Sequence, residues 1–125
     1  MAASRVGDLV IDCRDAKLLA NFWCAALGFE EYDADETGVA IRDPSGTDRD
    51  LLFLIVPEGK QAKNRLHLDL VPSSTMKEEV ERLRAAGATE QRYVVEGGSY
   101  WTIMEDPEGN EFCVLRSDSE RAETS

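Results

Sequence analysis

At 125 residues, with a formal charge of −11 and only three cysteines, the chain has the size of one domain and no disulfide framework. The acidic balance disfavours nucleic acid and anionic lipid as partners, and no apolar run approaches the length of a membrane span. Cysteines without CxxC spacing, and a start that lacks a signal-peptide pattern, point to a reduced, cytoplasmic setting.

Asp8 to Asp12 reads as a short strand, with Leu9 and Ile11 on one face and Asp8, Val10 and Asp12 on the other. Asp15 is placed to cap a helix from about Ala16 to Leu27, whose apolar stripe is Leu19, Trp23 and Leu27, and Gly28 suits its end. Phe29–Asp33 and Gly38–Arg42 form a hairpin pair. Asp43-Pro44-Ser45-Gly46 is a turn, and Leu51–Val56 is a continuous apolar strand. The polar stretch 57–64 reads as a surface linker.

The pattern then repeats. Arg65–Val71 alternates strictly, setting Leu66, Leu68 and Leu70 opposite His67, Asp69 and Val71. Ser74 or Thr75 caps a second helix with Met76, Val80 and Leu83 as its buried stripe, and Gly87 closes it. Strands follow at Glu90–Val95, Tyr100–Glu105 and Glu111–Arg116, with Asp106-Pro107-Glu108-Gly109 repeating the earlier turn. Residues 117–125 have no apolar anchor and read as a loose tail. The two helix-ending glycines give an offset of 59 (87 − 28), which lays Asp8 over His67 and Asp15 over Ser74. Each half reads strand, helix, three strands, and neither buries its own sheet face alone. The fold class is therefore α+β, two tandem βαβββ modules of about 5–56 and 65–116 in a single domain of 5–116.

Three segments carry a family resemblance: Phe22-Trp23-Cys24-Ala25-Ala26-Leu27-Gly28-Phe29, Leu66-His67-Leu68-Asp69-Leu70, and Asp106-Pro107-Glu108-Gly109-Asn110. With the tandem modules, they resemble the vicinal oxygen chelate superfamily, the glyoxalase–bleomycin-resistance–dioxygenase fold, over nearly the whole of Asp8–Arg116. The resemblance implies that each module curls its sheet around one cavity, and that many relatives are homodimers. It also implies metal ligands on the first and last strand of each module. Those positions fall here on Asp8, His67 and Cys113, with Leu52 or Phe53 at the fourth, so the set is incomplete. Glutathione chemistry of the lactoylglutathione lyase type is thereby disfavoured.

Read as chemistry, His67 is the central residue, because histidine changes charge near neutral pH. One reading makes it a general acid or base with Asp69 or Asp8 as partner, in a lyase- or isomerase-type enzyme. A second makes His67, Asp8 and Cys113 ligands of a divalent metal, zinc, iron or nickel. A third is a non-catalytic binder of a cationic or aromatic small molecule, of the bleomycin-resistance type. Asp8, Asp12, Phe53, Tyr100, Trp101 and Glu111 are the expected substrate-binding residues. Gly97-Gly98-Ser99 is a flexible lead-in that lets Tyr100 and Trp101 act as a cavity flap. Phe22 and Trp23 are assigned to the core, and Asp43 and Asp106 to turns.

Overall fold

The computed structural model describes residues 3–124, which divide between Lys60 and Gln61 into two compact units. In the first, β1 (Asp8–Cys13) and α1 (Ala16–Leu27) precede β2 (Glu30–Asp35), β3 (Gly38–Arg42) and β4 (Asp50–Ile55). The sheet runs β1-β4-β3-β2, with β1 parallel to β4 and the other pairs antiparallel. The second unit repeats the plan with β5 (Leu68–Leu70), α2 (Met76–Ala86), β6 (Thr89–Glu96), β7 (Ser99–Glu105) and β8 (Glu111–Val114), in the order β5-β8-β7-β6. The repeated βαβββ plan is the one the sequence predicts. It takes the form of two four-stranded mixed sheets.

Local chemistry sets the helix ends. Asp15 accepts a hydrogen bond from the Leu18 N–H at 3.1 Å, and Gly28 closes α1 by donating to the Cys24 carbonyl. Thr75, rather than Ser74, caps α2: its hydroxyl accepts from the Glu78 N–H and donates to the Glu78 carboxylate. In the first unit α1 packs on β3 and β4, where Ile41, Leu51 and Phe53 are buried. In the second, α2 brings Met76, Val80 and Leu83 to β7 and β8, where Met104, Phe112 and Val114 are buried. Each such side chain contributes about 1.5–3 kcal/mol, so the two cores dominate stability. Gly38 allows β3 to lie close to β4, for a Cβ there would come within 2.2 Å of the Phe53 carbonyl oxygen.

Four expectations change. The strand expected over Arg65–Val71 shrinks to three residues, because β8 offers ladder partners only from Phe112 to Val114. Leu66 consequently leaves the leucine face and is 86% exposed. The last strand stops at Val114 rather than Arg116, although the Leu115 N–H still bonds the Leu70 carbonyl. The Gly97-Gly98 segment is not a loose flap but a tight hairpin turn between β6 and β7. Both glycines have positive φ (60° and 77°), which twists the chain as a two-residue hairpin requires. Finally, the expected loose tail carries a short helix, α3 (Asp118–Thr124). Ser117 and Glu120 cap each other reciprocally, and the Glu120 carboxylate also accepts from the Met76 N–H that opens α2.

Candidate functional site

The second sheet presents two faces of opposite character. Alternation along β7 and β8 sends Thr102, Met104, Phe112 and Val114 to the α2 side, where all four are buried. Trp101, Ile103, Cys113 and Leu115 go to the other side. There they form the floor of a hollow of about 350 Å³, closed by Lys63, His67, Asp69 and Glu111. Register fixes its middle row: Asp69 pairs with Cys113, and Cys113 with Ile103.

Within that row three chemistries meet. Nδ1 of His67 lies 3.2 Å from Oδ1 of Asp69, and both side chains are about half exposed (42% and 49%). A ligand atom from each of His67, Asp69 and Cys113 falls within 4.8 Å of the others, among the described residues. Burial pushes the Cys113 thiol up to about 11, helped by the charge of Asp69, a hydrogen bond to that carboxylate and the charge of Glu111, while Lys63 works in the opposite direction. Cys113 is therefore a thiol at neutral pH, not a thiolate, until a cation displaces its proton.

The other predicted site residues separate. Glu111 and Trp101 join the hollow. Tyr100, expected beside Trp101, occupies the opposite face, where it contacts Tyr93 and lies under the Arg116 guanidinium. Consecutive residues of a strand cannot share a face. Phe53, expected to stack on a ligand, is 0% exposed, between Ile11 and Val39 in the register of the first sheet. It is a core residue.

Asp8 and Asp12 are exposed on β1 of the first unit. Asp8 is in register with Asp50, whose carboxylate accepts from the Tyr32 hydroxyl at 2.8 Å. That hydrogen bond, with a little burial and the charges of Asp50, Asp8 and Asp33, raises the Tyr32 hydroxyl above its ordinary range. The offset of 59 lays Val10 over Asp69, and Val10 pairs with Leu52 where Asp69 pairs with Cys113. The first sheet thus carries hydrocarbon where the second carries two of its three donors. The sequence reading missed Lys63, which lay in a presumed linker with no periodicity to mark it. Ile103 and Leu115 were legible from strand parity.

The profile of the glyoxalase-like domain family matches residues 8–115. No curated protein matches the chain. Among solved structures, a hypothetical protein from S. aureus superposes with a TM-score of 0.70 at 17% identity, over 93% of this chain and 95% of that one. A glyoxalase/bleomycin resistance protein/dioxygenase family enzyme from Burkholderia phytofirmans gives 0.69 at 20%, over 86% and 94%. A mutant of the fosfomycin resistance protein FosX from Listeria monocytogenes, complexed with Mn(II) and 1S,2S-dihydroxypropylphosphonic acid, gives 0.70 at 14%, over 96% and 95%. At these identities the likenesses establish the fold, and the family match extends over most of the sequence. The chain belongs to the glyoxalase-like domain family, within the vicinal oxygen chelate superfamily.

Proposed function

We propose that the protein is a small-molecule enzyme of the glyoxalase-like type that moves a proton on the open face of its second sheet. His67 is the acid–base group and Asp69 the residue that orients it. The observation that carries this reading is the 3.2 Å approach of the Asp69 carboxylate to Nδ1. A neutral imidazole that keeps its proton on Nδ1, against the carboxylate, has a lone pair on Nε2 for a substrate proton. Asp69 also offsets the charge that the ring gains when it takes that proton. The hollow is sized for a small metabolite, with apolar walls from Trp101, Ile103 and Leu115 facing the polar groups of Lys63, His67, Asp69 and Glu111.

The donor set also fits a divalent ion. Imidazole, carboxylate and thiol are the ligand types of zinc, iron and nickel sites, and here they converge among the described residues. Bound there, such an ion supplies Lewis-acid polarisation of a substrate oxygen. His67, Asp69 and Cys113 are the residues that would hold it, Asp69 taking the part expected of Asp8. We place the enzyme in the cytoplasm and read it as a homodimer; light scattering tests the dimer, which the exposed Leu9 and Val10 of β1 support.

The alternative, a binder that releases its ligand unchanged, uses the same hollow and is favoured by the Trp101 ring in its wall. A metabolite screen in deuterated water separates the two. The enzyme reading predicts solvent deuterium or a new product in at least one compound, dependent on His67. The binder reading predicts tight retention with no isotope and no product.

A further inference from the structure

The two sheets end on edge strands of opposite design. β2 ends one side of the first sheet and β6 the matching side of the second, each paired with a single neighbour. Such an edge leaves a row of backbone N–H and C=O groups open to another chain. On β2, Glu30, Glu31, Asp33 and Asp35 place four carboxylates among six exposed residues, and like charges set against one another oppose pairing with a second copy. β6 has no such guard. From Arg92 to Glu96 it reads Arg-Tyr-Val-Val-Glu, with Tyr93 56% and Val95 68% exposed. Neither Arg92 nor Glu96 forms an ion pair among the described residues.

The hairpin fixes which backbone groups of β6 are open. Glu96 and Ser99 flank the two-residue Gly97-Gly98 turn, so their backbones bond each other. Alternation along the antiparallel pair then turns the N–H and C=O groups of Val95 and Tyr93 outward, while those of Val94 and Arg92 face β7. The register shift between Glu90 and Arg92 ends this regular run.

We infer that β6 is a docking edge for β6 of a second copy of this chain, the two strands pairing antiparallel about a two-fold axis at Val94. In that register Tyr93 of each copy exchanges backbone hydrogen bonds with Val95 of the other. The Tyr93 and Val95 side chains, on the α2 side of the sheet, join into one aromatic and β-branched patch. On the other face Arg92 of each copy meets Glu96 of the other, so four unpaired charges become two ion pairs on either side of Val94. Centring the axis on Tyr93 or Val95 instead satisfies the backbone but loses both ion pairs. Val94 is in register with Trp101, whose ring walls the hollow, so the pairing continues that floor into the second copy. The inference does not need the hollow to be catalytic, and it names a different strand from the dimer contact read at β1.

A short run of rungs makes a small interface, so the association depends on concentration. The test is sedimentation equilibrium and NMR hydrogen exchange on the full chain from about 10 μM to about 1 mM, the range of weak complexes. The average mass is expected to rise, and the Tyr93 and Val95 amides to gain protection with it. Arg92→Glu and Glu96→Arg each set like charges opposite one another twice, and each weakens the association by about tenfold. The double variant Arg92→Glu/Glu96→Arg restores it. All three side-chain changes lie on an exposed edge, so unchanged melting temperatures of the dilute variants show that they are folded. Association that Arg92→Glu leaves untouched would overturn the inference and move the contact to another strand, leaving the reading at β1 standing. A chain that stays monomeric throughout, its edge left for a strand of another protein, would overturn it too, as would single variants that the double exchange does not rescue.

Discussion

Asp69 lies between two of the site's other groups: its carboxylate is 3.2 Å from Nδ1 of His67, and its backbone is in register with Cys113 on β8. One carboxylate thereby serves an imidazole just before its own strand and a thiol on the neighbouring strand. Most of the predictions below follow from that shared position.

Metal binding requires Cys113 to lose its proton. Cobalt(II) added to the protein is expected to bind with thiolate-to-metal absorption in the near ultraviolet, more tightly as pH rises, because each ion displaces a proton. Cys113→Ser removes the absorption and His67→Ala weakens the binding. No such absorption up to pH 9 would remove the triad from the list of metal sites.

The free thiol has a signature of its own. With its ionisation pushed up to about 11, Cys113 alkylates slowly at pH 7, and its rate climbs toward pH 11. Asp69→Asn removes a negative neighbour and shifts that profile to lower pH, readable by peptide mapping after iodoacetamide. Since the folded value lies above the ordinary 9.0, its contribution to stability is complete below pH 9 and is lost as pH rises toward 11.

Phe53 and Phe112 fill the two cores, and both are almost wholly buried. Truncating either to alanine is expected to cost about 3–5 kcal/mol, seen as a lowered denaturation midpoint. Trp101→Ala, in the wall of the hollow, costs much less stability and weakens ligand binding. Equal stability loss at Trp101 and Phe53 would contradict the division of faces.

At the C-terminal end, the Glu120 carboxylate accepts from the N–H groups of Ser117 and Met76. Burial pushes its ionisation up, but the bonds to Ser117 and Met76, with the charge of Arg116, hold it below its ordinary value. The stability it supplies is therefore present above the usual carboxylate range and lost as pH falls through the lowered one. Glu120→Ala is expected to cost about 1 kcal/mol, a typical cap, and to flatten the acid side of a melting-temperature profile.

Much of the fold was legible because it is local. Helix stripes, the caps at Asp15 and Thr75, the paired DPxG turns and the 59-residue offset all lie within short windows. The site was legible where strand parity sufficed, as for His67, Asp69, Glu111 and Cys113. It failed for Phe53 and Tyr100, where an aromatic residue was credited to a cavity without asking which face its strand position gave it. Lys63 was beyond reach, since only a long-range pair with Glu111 marks it. The Ser117–Glu120 capping box stood in the sequence, but without apolar residues around it nothing called attention to a helix.

The central claim is tested most directly by incubating wild-type protein and His67→Gln with a metabolite library in deuterated water, followed by NMR. The account predicts that wild type exchanges or converts at least one compound. His67→Gln should lose about 10²–10⁴ of that rate, and Asp69→Asn less, with unchanged melting temperatures because both side chains are half exposed. Conversion that proceeds undiminished in His67→Gln would contradict it.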